Sequence, residues 1–110
     1  MSVTYRYHHV GIPTARPVDG MTRLDHLQIA CTDHESNPYG VQWMLYEADC
    51  QLPPLVREVA HVAFVVDDLE EAIAGKTVII PPNSPSPGVV VAFIEEAGAP
   101  VELLQFLGEA

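Results

Sequence analysis

His61-Val62-Ala63-Phe64-Val65-Val66-Asp67-Asp68-Leu69 begins as a strand and ends as the start of a helix. The apolar, β-branched run suits a strand, and the two aspartates interrupt it. Its opening recurs upstream as His9-Val10-Gly11-Ile12. A second echo follows each copy. Gly40-Val41-Gln42-Trp43-Met44-Leu45 is answered loosely by Pro100-Val101-Glu102-Leu103-Leu104-Gln105. The chain therefore reads as two unequal copies of one strand-rich unit.

His9 precedes Gln42 by 33 positions, and His61 precedes Glu102 by 41. The eight extra residues of the second copy match a helix over 67–74. Asp67 caps that helix on this reading, with Glu70 three residues later in a capping-box pattern. Leu69, Ala72 and Ile73 share its apolar face, and Gly75 suits its C-terminal cap. The first copy holds a loop at 14–23 instead, because Pro17 and Gly20 both disfavour helix.

Outward from these anchors, strands are expected at 5–13, 24–32, 41–47, 59–66, 77–80, 89–96 and 101–106. A turn is expected at 33–40. One short helical turn is expected after Pro53-Pro54. The stretch 81–88 carries four prolines and is expected to stay unpaired. Copy two then runs strand, helix and three strands. The fold class is α+β: two such units, the first lacking its helix, whose mixed or antiparallel sheet curls into a cup. A single domain over 1–110 is expected, with unit one at about 5–48 and unit two at about 59–107.

Composition narrows the function. The 110 residues are 48% hydrophobic, enough to build a core, and 18% charged, too few for a disordered chain. Net charge is −10, and the five basic residues (Arg6, Arg16, Arg23, Arg57 and Lys76) form no cluster. Nucleic acid is therefore not an expected partner. No stretch of 18 apolar residues exists to span a membrane, and residues 1–6 lack the apolar core of a signal peptide. A cytoplasmic protein is the expectation. Cys31 and Cys50 lack CxxC spacing and read as reduced thiols.

Strand alternation supplies the chemistry, since residues i and i+2 share a face. His61 lies with Ala63 and Val65, and His9 with Gly11. Gln42 lies with Met44 and Tyr46, and Glu102 with Leu104 and Phe106. If the units pair about a pseudo-twofold axis, His9, Gln42, His61 and Glu102 converge. Two imidazoles, an amide oxygen and a carboxylate suit a divalent metal such as Zn, Ni, Co, Mn or Fe(II). Met44, Tyr46, Leu104 and Phe106 would line the cup beside it, or serve as ordinary core. His8 is expected to point away from His9, across the sheet. His26 and His34 read as surface residues, Asp67 as a cap and Asp68 as solvated. Glu47 falls on the face opposite Gln42 unless the strand bulges.

His8-His9-Val10-Gly11-Ile12-Pro13-Thr14, the stretch from His61 to Leu69, and Pro100-Val101-Glu102-Leu103-Leu104 resemble the glyoxalase/bleomycin-resistance family, or vicinal oxygen chelate superfamily. The resemblance spans nearly the whole chain and is closer in the second unit. It implies a pair of βαβββ units forming a cup around a metal, with ligands from the first and last strands of each unit. Those positions here are His9, Gln42, His61 and Glu102. Many members carry Glu where this chain has Gln42, which removes one anionic ligand and one possible base.

Two functions follow. One is a metal-dependent lyase, isomerase or dioxygenase acting on a small oxygen-bearing molecule, with Glu102 the only carboxylate placed to move a proton. The other is a bleomycin-resistance-like protein that holds a small ligand without turning it over. Sheets of this kind leave edges and apolar faces that pair, so a homodimer is expected.

Overall fold

The computed structural model describes residues 3–108. Eight strands form one mixed sheet that curls into a half-barrel. They are β1 (Arg6–Pro13), β2 (Thr22–Leu24), β3 (Ile29–Cys31), β4 (Val41–Tyr46), β5 (His61–Val65), β6 (Thr77–Asn83), β7 (Val89–Glu96) and β8 (Ala99–Phe106). Two five-residue helices complete the fold, α1 (Pro54–Glu58) and α2 (Leu69–Ile73).

The sheet order is β2-β3-β4-β1-β5-β8-β7-β6. Read outward from the centre, the two halves are the same. β1 runs parallel to β4 as β5 runs parallel to β8, and each half ends in an antiparallel hairpin. β1 and β5 meet antiparallel at the middle. The register carries the symmetry to single residues. Gly11 sits beside Gln42 and Ala63 beside Glu102, so both polar residues pair with the residue two beyond their unit's histidine. Across the centre, His9 faces Ala63 and Gly11 faces His61.

The outer face of unit two is a core. Val66, Leu69, Ala72, Ala92, Ile94 and Leu103 bury one another beneath α2. The main-chain N–H of Leu69 also donates to Gln105 Oε1 at 2.8 Å, which pins the helix to β8. No helix forms over 14–21 in unit one. Trp43, on the corresponding outer face of β4, stays 38% exposed. The described residues contain no helix long and apolar enough to cross a membrane.

Four local expectations change. The strand expected at 24–32 is a hairpin: a 3₁₀ turn at Asp25–Leu27 separates β2 from β3, and Gln28 takes a left-handed φ of 57°. No glycine or proline marks that turn, so apolar periodicity runs straight through it. β6 continues through Pro81 and Pro82 to Asn83. It can do so because it is the outermost strand, where a missing N–H costs no ladder bond on the open side. Its register slips twice along the way. Third, β1 shifts register against β5 between Tyr7 and His9, a bulge that re-aims His8.

The fourth change is the helix cap. Asp68, not Asp67, caps α2, accepting from the Glu71 N–H at 3.1 Å. Asp67 instead pairs with Arg6 at 3.2 Å on the surface. Asp68→Ala is expected to cost about 1 kcal/mol of stability in urea unfolding. Asp67→Ala should change it little, because exposed ion pairs contribute little. The reverse ranking would return the cap to Asp67.

Candidate metal centre

The concave face of the sheet gathers its polar side chains where β1, β5 and β8 lie side by side. His61 is 2% exposed and His9 6%. Their rings stand nearly perpendicular, at 84°, with centroids 5.5 Å apart. Between them lies the Glu102 carboxylate. Its Oε1 is 3.1 Å from His61 Nε2 and 3.3 Å from His9 Nε2. Donors bound at about 2.0–2.2 Å around a tetrahedral cation lie about 3.3 Å from each other. Both separations from Glu102 are of that size, and all three donors lie within 4.8 Å of one another.

Among the described residues, neither ring nitrogen of His61 has a hydrogen-bond partner, although both are buried. Nε2 is close to Glu102 but not in line for a hydrogen bond. A buried polar nitrogen without a partner is costly and uncommon. A cation would satisfy Nε2, the nitrogen that faces Glu102, and would leave Nδ1 without a partner among the described residues.

Electrostatics agrees. Burial pushes the Glu102 carboxyl up, but the adjoining His61 and His9 rings outweigh it and hold the group at about 2. Glu102 is therefore a carboxylate at neutral pH. Other groups on the same wall tend toward neutrality. Burial pushes the Tyr46 phenol well up, and burial raises the Cys31 thiol against an opposing hydrogen bond from Gln42. Burial, then the neighbouring His9 and His34 rings, lower His8.

Gln42 faces the same cavity. Its amide nitrogen donates to the Thr32 carbonyl at 3.1 Å, which leaves Oε1 as the atom it can offer a cation. Met44 and Tyr46 follow Gln42 along β4 and line the wall. Leu104 does not: it packs with Ala63, Val89 and Val91 in a cluster beside the cavity. Phe106 is 51% exposed at the end of β8, 5.8 Å from the His8 ring centroid. Glu47 points away from the cavity and pairs with Arg23 at 2.7 Å. His26 is exposed.

Two histidines join the site that sequence reasoning left outside. The bulge in β1 turns His8 onto the same side as His9, with 2.7 Å between their Nδ1 atoms. His34, in the 3₁₀ turn His34–Ser36, stacks on His8 at 4.4 Å. Asp33 caps that turn by accepting from the Glu35 N–H. Nothing in strict alternation could have revealed His8, because a bulge breaks the period. Gly11 was also passed over, and its lack of a side chain makes room for the His61 ring.

The cavity measures about 360 Å³. Leu27, Ile29, Met44, Val56, Val91 and Phe93 give it an apolar body. None of the five basic residues lines it.

No protein-family model and no curated protein matches the chain. Among solved structures, the chain is similar to the crystal structure of a hypothetical protein from Bacillus halodurans C-125. The TM-score is 0.62 at 20% identity, and the match covers 97% of this chain and 98% of that one. The similarity concerns the fold.

Proposed function

We propose that this chain is a metal-dependent protein of the glyoxalase/bleomycin-resistance kind. Its divalent cation would be held by His9, His61 and Glu102, with Gln42 Oε1 as a fourth donor. The observation that carries the reading is His61: a buried Nε2 with no hydrogen-bond partner among the described residues, beside the Glu102 carboxylate and a second imidazole. The donor set fits a borderline cation such as Zn, Ni, Co, Mn or Fe(II), because imidazole and carboxylate suit all of these. When bound, the cation supplies Lewis acidity toward a ligand oxygen.

The protein's own contributions follow from the cavity. Its apolar wall accepts a small hydrophobic body. It has no Arg or Lys to meet a phosphate or a second carboxylate. The ligand class is thus a small, largely apolar molecule with one or two oxygen donors and no remote anionic group. Glu102, held well below the usual carboxylate range, serves as an anionic ligand and is a poor proton donor at neutral pH. The enzyme reading is a lyase, isomerase or dioxygenase. The alternative is a sequestering protein, in which the same apolar body of the cavity holds such a molecule without turning it over.

Protein purified without chelators is expected to carry about one divalent metal per chain by elemental analysis. Chelated protein should take up one equivalent of Zn, Ni, Mn, Co or Fe(II). Failure to take up any of the five would sink the metal reading and leave a bare binding cup.

A further inference from the structure

We infer that His8 is a positioning residue for His9, setting which of its ring nitrogens faces the inner cluster. The inference rests on the metal reading above but concerns a residue outside the donor set. A metal-binding histidine gives one nitrogen to the cation and donates N–H from the other to a fixed acceptor. His9 Nε2 faces His61 and Glu102, so Nδ1 must be the donor. The nearest polar atom is His8 Nδ1, at 2.7 Å. Among the described residues, no carboxylate or backbone carbonyl takes that place.

An imidazole is well chosen here, because this bond must reverse. His9 Nε2 lies 3.3 Å from the Glu102 carboxylate, where a proton would be held when no cation is bound. Its proton belongs there, so His9 Nδ1 accepts and His8 Nδ1 donates. Once Nε2 is given over to a cation, His9 Nδ1 must carry the proton and His8 Nδ1 must accept it. The protons balance. One leaves His9 Nε2, one crosses from His8 Nδ1 to His9 Nδ1, and one is taken up by His8 Nε2 through solvent. A neutral imidazole can act either way at one nitrogen by exchanging tautomers. A carboxylate could only accept, and an ammonium could only donate.

The His8 ring is braced for this task. His34 stacks on it at 4.4 Å, and the Phe106 ring lies 5.8 Å away. His8, His9 and His34 also bring ring nitrogens within 4.8 Å of each other, as an outer three-histidine site would require. A neutral His9 has one lone pair, however, and the inner cluster uses it at Nε2.

The test titrates zinc into the metal-free parent, His8→Phe and His8→Asn, with melting temperatures and ¹⁵N imidazole spectra of each. Phe keeps a ring between His34 and Phe106 but cannot hydrogen-bond. Asn can donate or accept by rotating its amide. His8→Phe is expected to weaken zinc binding 10–100-fold, the usual cost of losing such a partner. Its melting temperature should match the parent, and His8→Asn should recover most of the affinity. In the parent, the His9 proton should move from Nε2 to Nδ1 when zinc is added. Parental zinc affinity in His8→Phe, or no recovery in His8→Asn, would overturn the role of His8 and leave the metal reading standing. A parent that takes up no zinc would overturn both.

Discussion

Glu102→Gln will leave a folded chain that no longer retains a divalent metal. Among the described residues, Glu102 is the only carboxylate on the cavity wall. Replacing it with an amide removes the sole anionic donor while keeping its size. The loss in zinc affinity should exceed about 100-fold, the upper cost of removing a partner outside the donor set. Calorimetric titration checks this. Retained affinity would move the site away from β8.

The same variant tests the electrostatics of the metal-free chain. The Glu102 carboxyl is held at about 2 against an ordinary 4.5. A depressed folded value contributes stability that is fully present above the unfolded value. That stability is lost as pH falls toward the folded one. The shift corresponds to stability on the order of 3 kcal/mol at neutral pH. Parent and Glu102→Gln should therefore differ most above about pH 4.5 and converge as pH approaches 2 in urea unfolding. A constant gap across that window would mean the two imidazoles do not hold the carboxylate.

The symmetry of the sheet was legible because it is written in side chains that repeat. His9 and His61, followed at unequal distance by Gln42 and Glu102, announce two copies, and the β1–β4 and β5–β8 registers place those residues equivalently. Departures from the period were not legible. A bulge between Tyr7 and His9 needs only a one-residue slip, which costs little and leaves no compositional mark. The hairpin at Gln28 turns through a left-handed residue that is not glycine. Pro81 and Pro82 look like strand breakers until β6 is known to be an edge. Each depends on where a strand lies in the sheet. The bulge hid His8, His34 lies in a turn that strand alternation does not reach, and alternation left Leu104 open between cavity wall and ordinary core. Leu104 shares a face with Glu102 and packs with Ala63, Val89 and Val91 as core.

Gly11→Ala should damage the site as severely as the loss of a ligand, although Gly11 offers no donor atom. Gly11 pairs with His61 across the centre of the sheet, and the His61 ring lies over it. A Cβ added to Gly11 would fall on His61 Cε1 and lie 2.6 Å from Nε2 and 2.8 Å from Nδ1. The ring has little room to retreat. Phe93 meets it edge-on at 5.1 Å, and His9 stands 5.5 Å away on another side. Conformational freedom is not the issue, because Gly11 is not among the glycines with positive φ. The requirement is space. In unit two the equivalent residue is Ala63, which faces His9 and is fully buried. A methyl opposite a histidine is thus tolerated where the ring does not lie over it, and the pseudo-twofold is broken here too. Overpacking of this kind costs about 1–3 kcal/mol, measurable in urea unfolding. Displacement of the His61 ring should also lower zinc affinity more than about 100-fold, beyond the cost of losing an outer partner. Ala63→Gly is the control: it should lose stability through a small cavity and a freer backbone, yet keep its zinc. If Gly11→Ala binds zinc as the parent does, His61 is free to move and is not fixed in place for a cation.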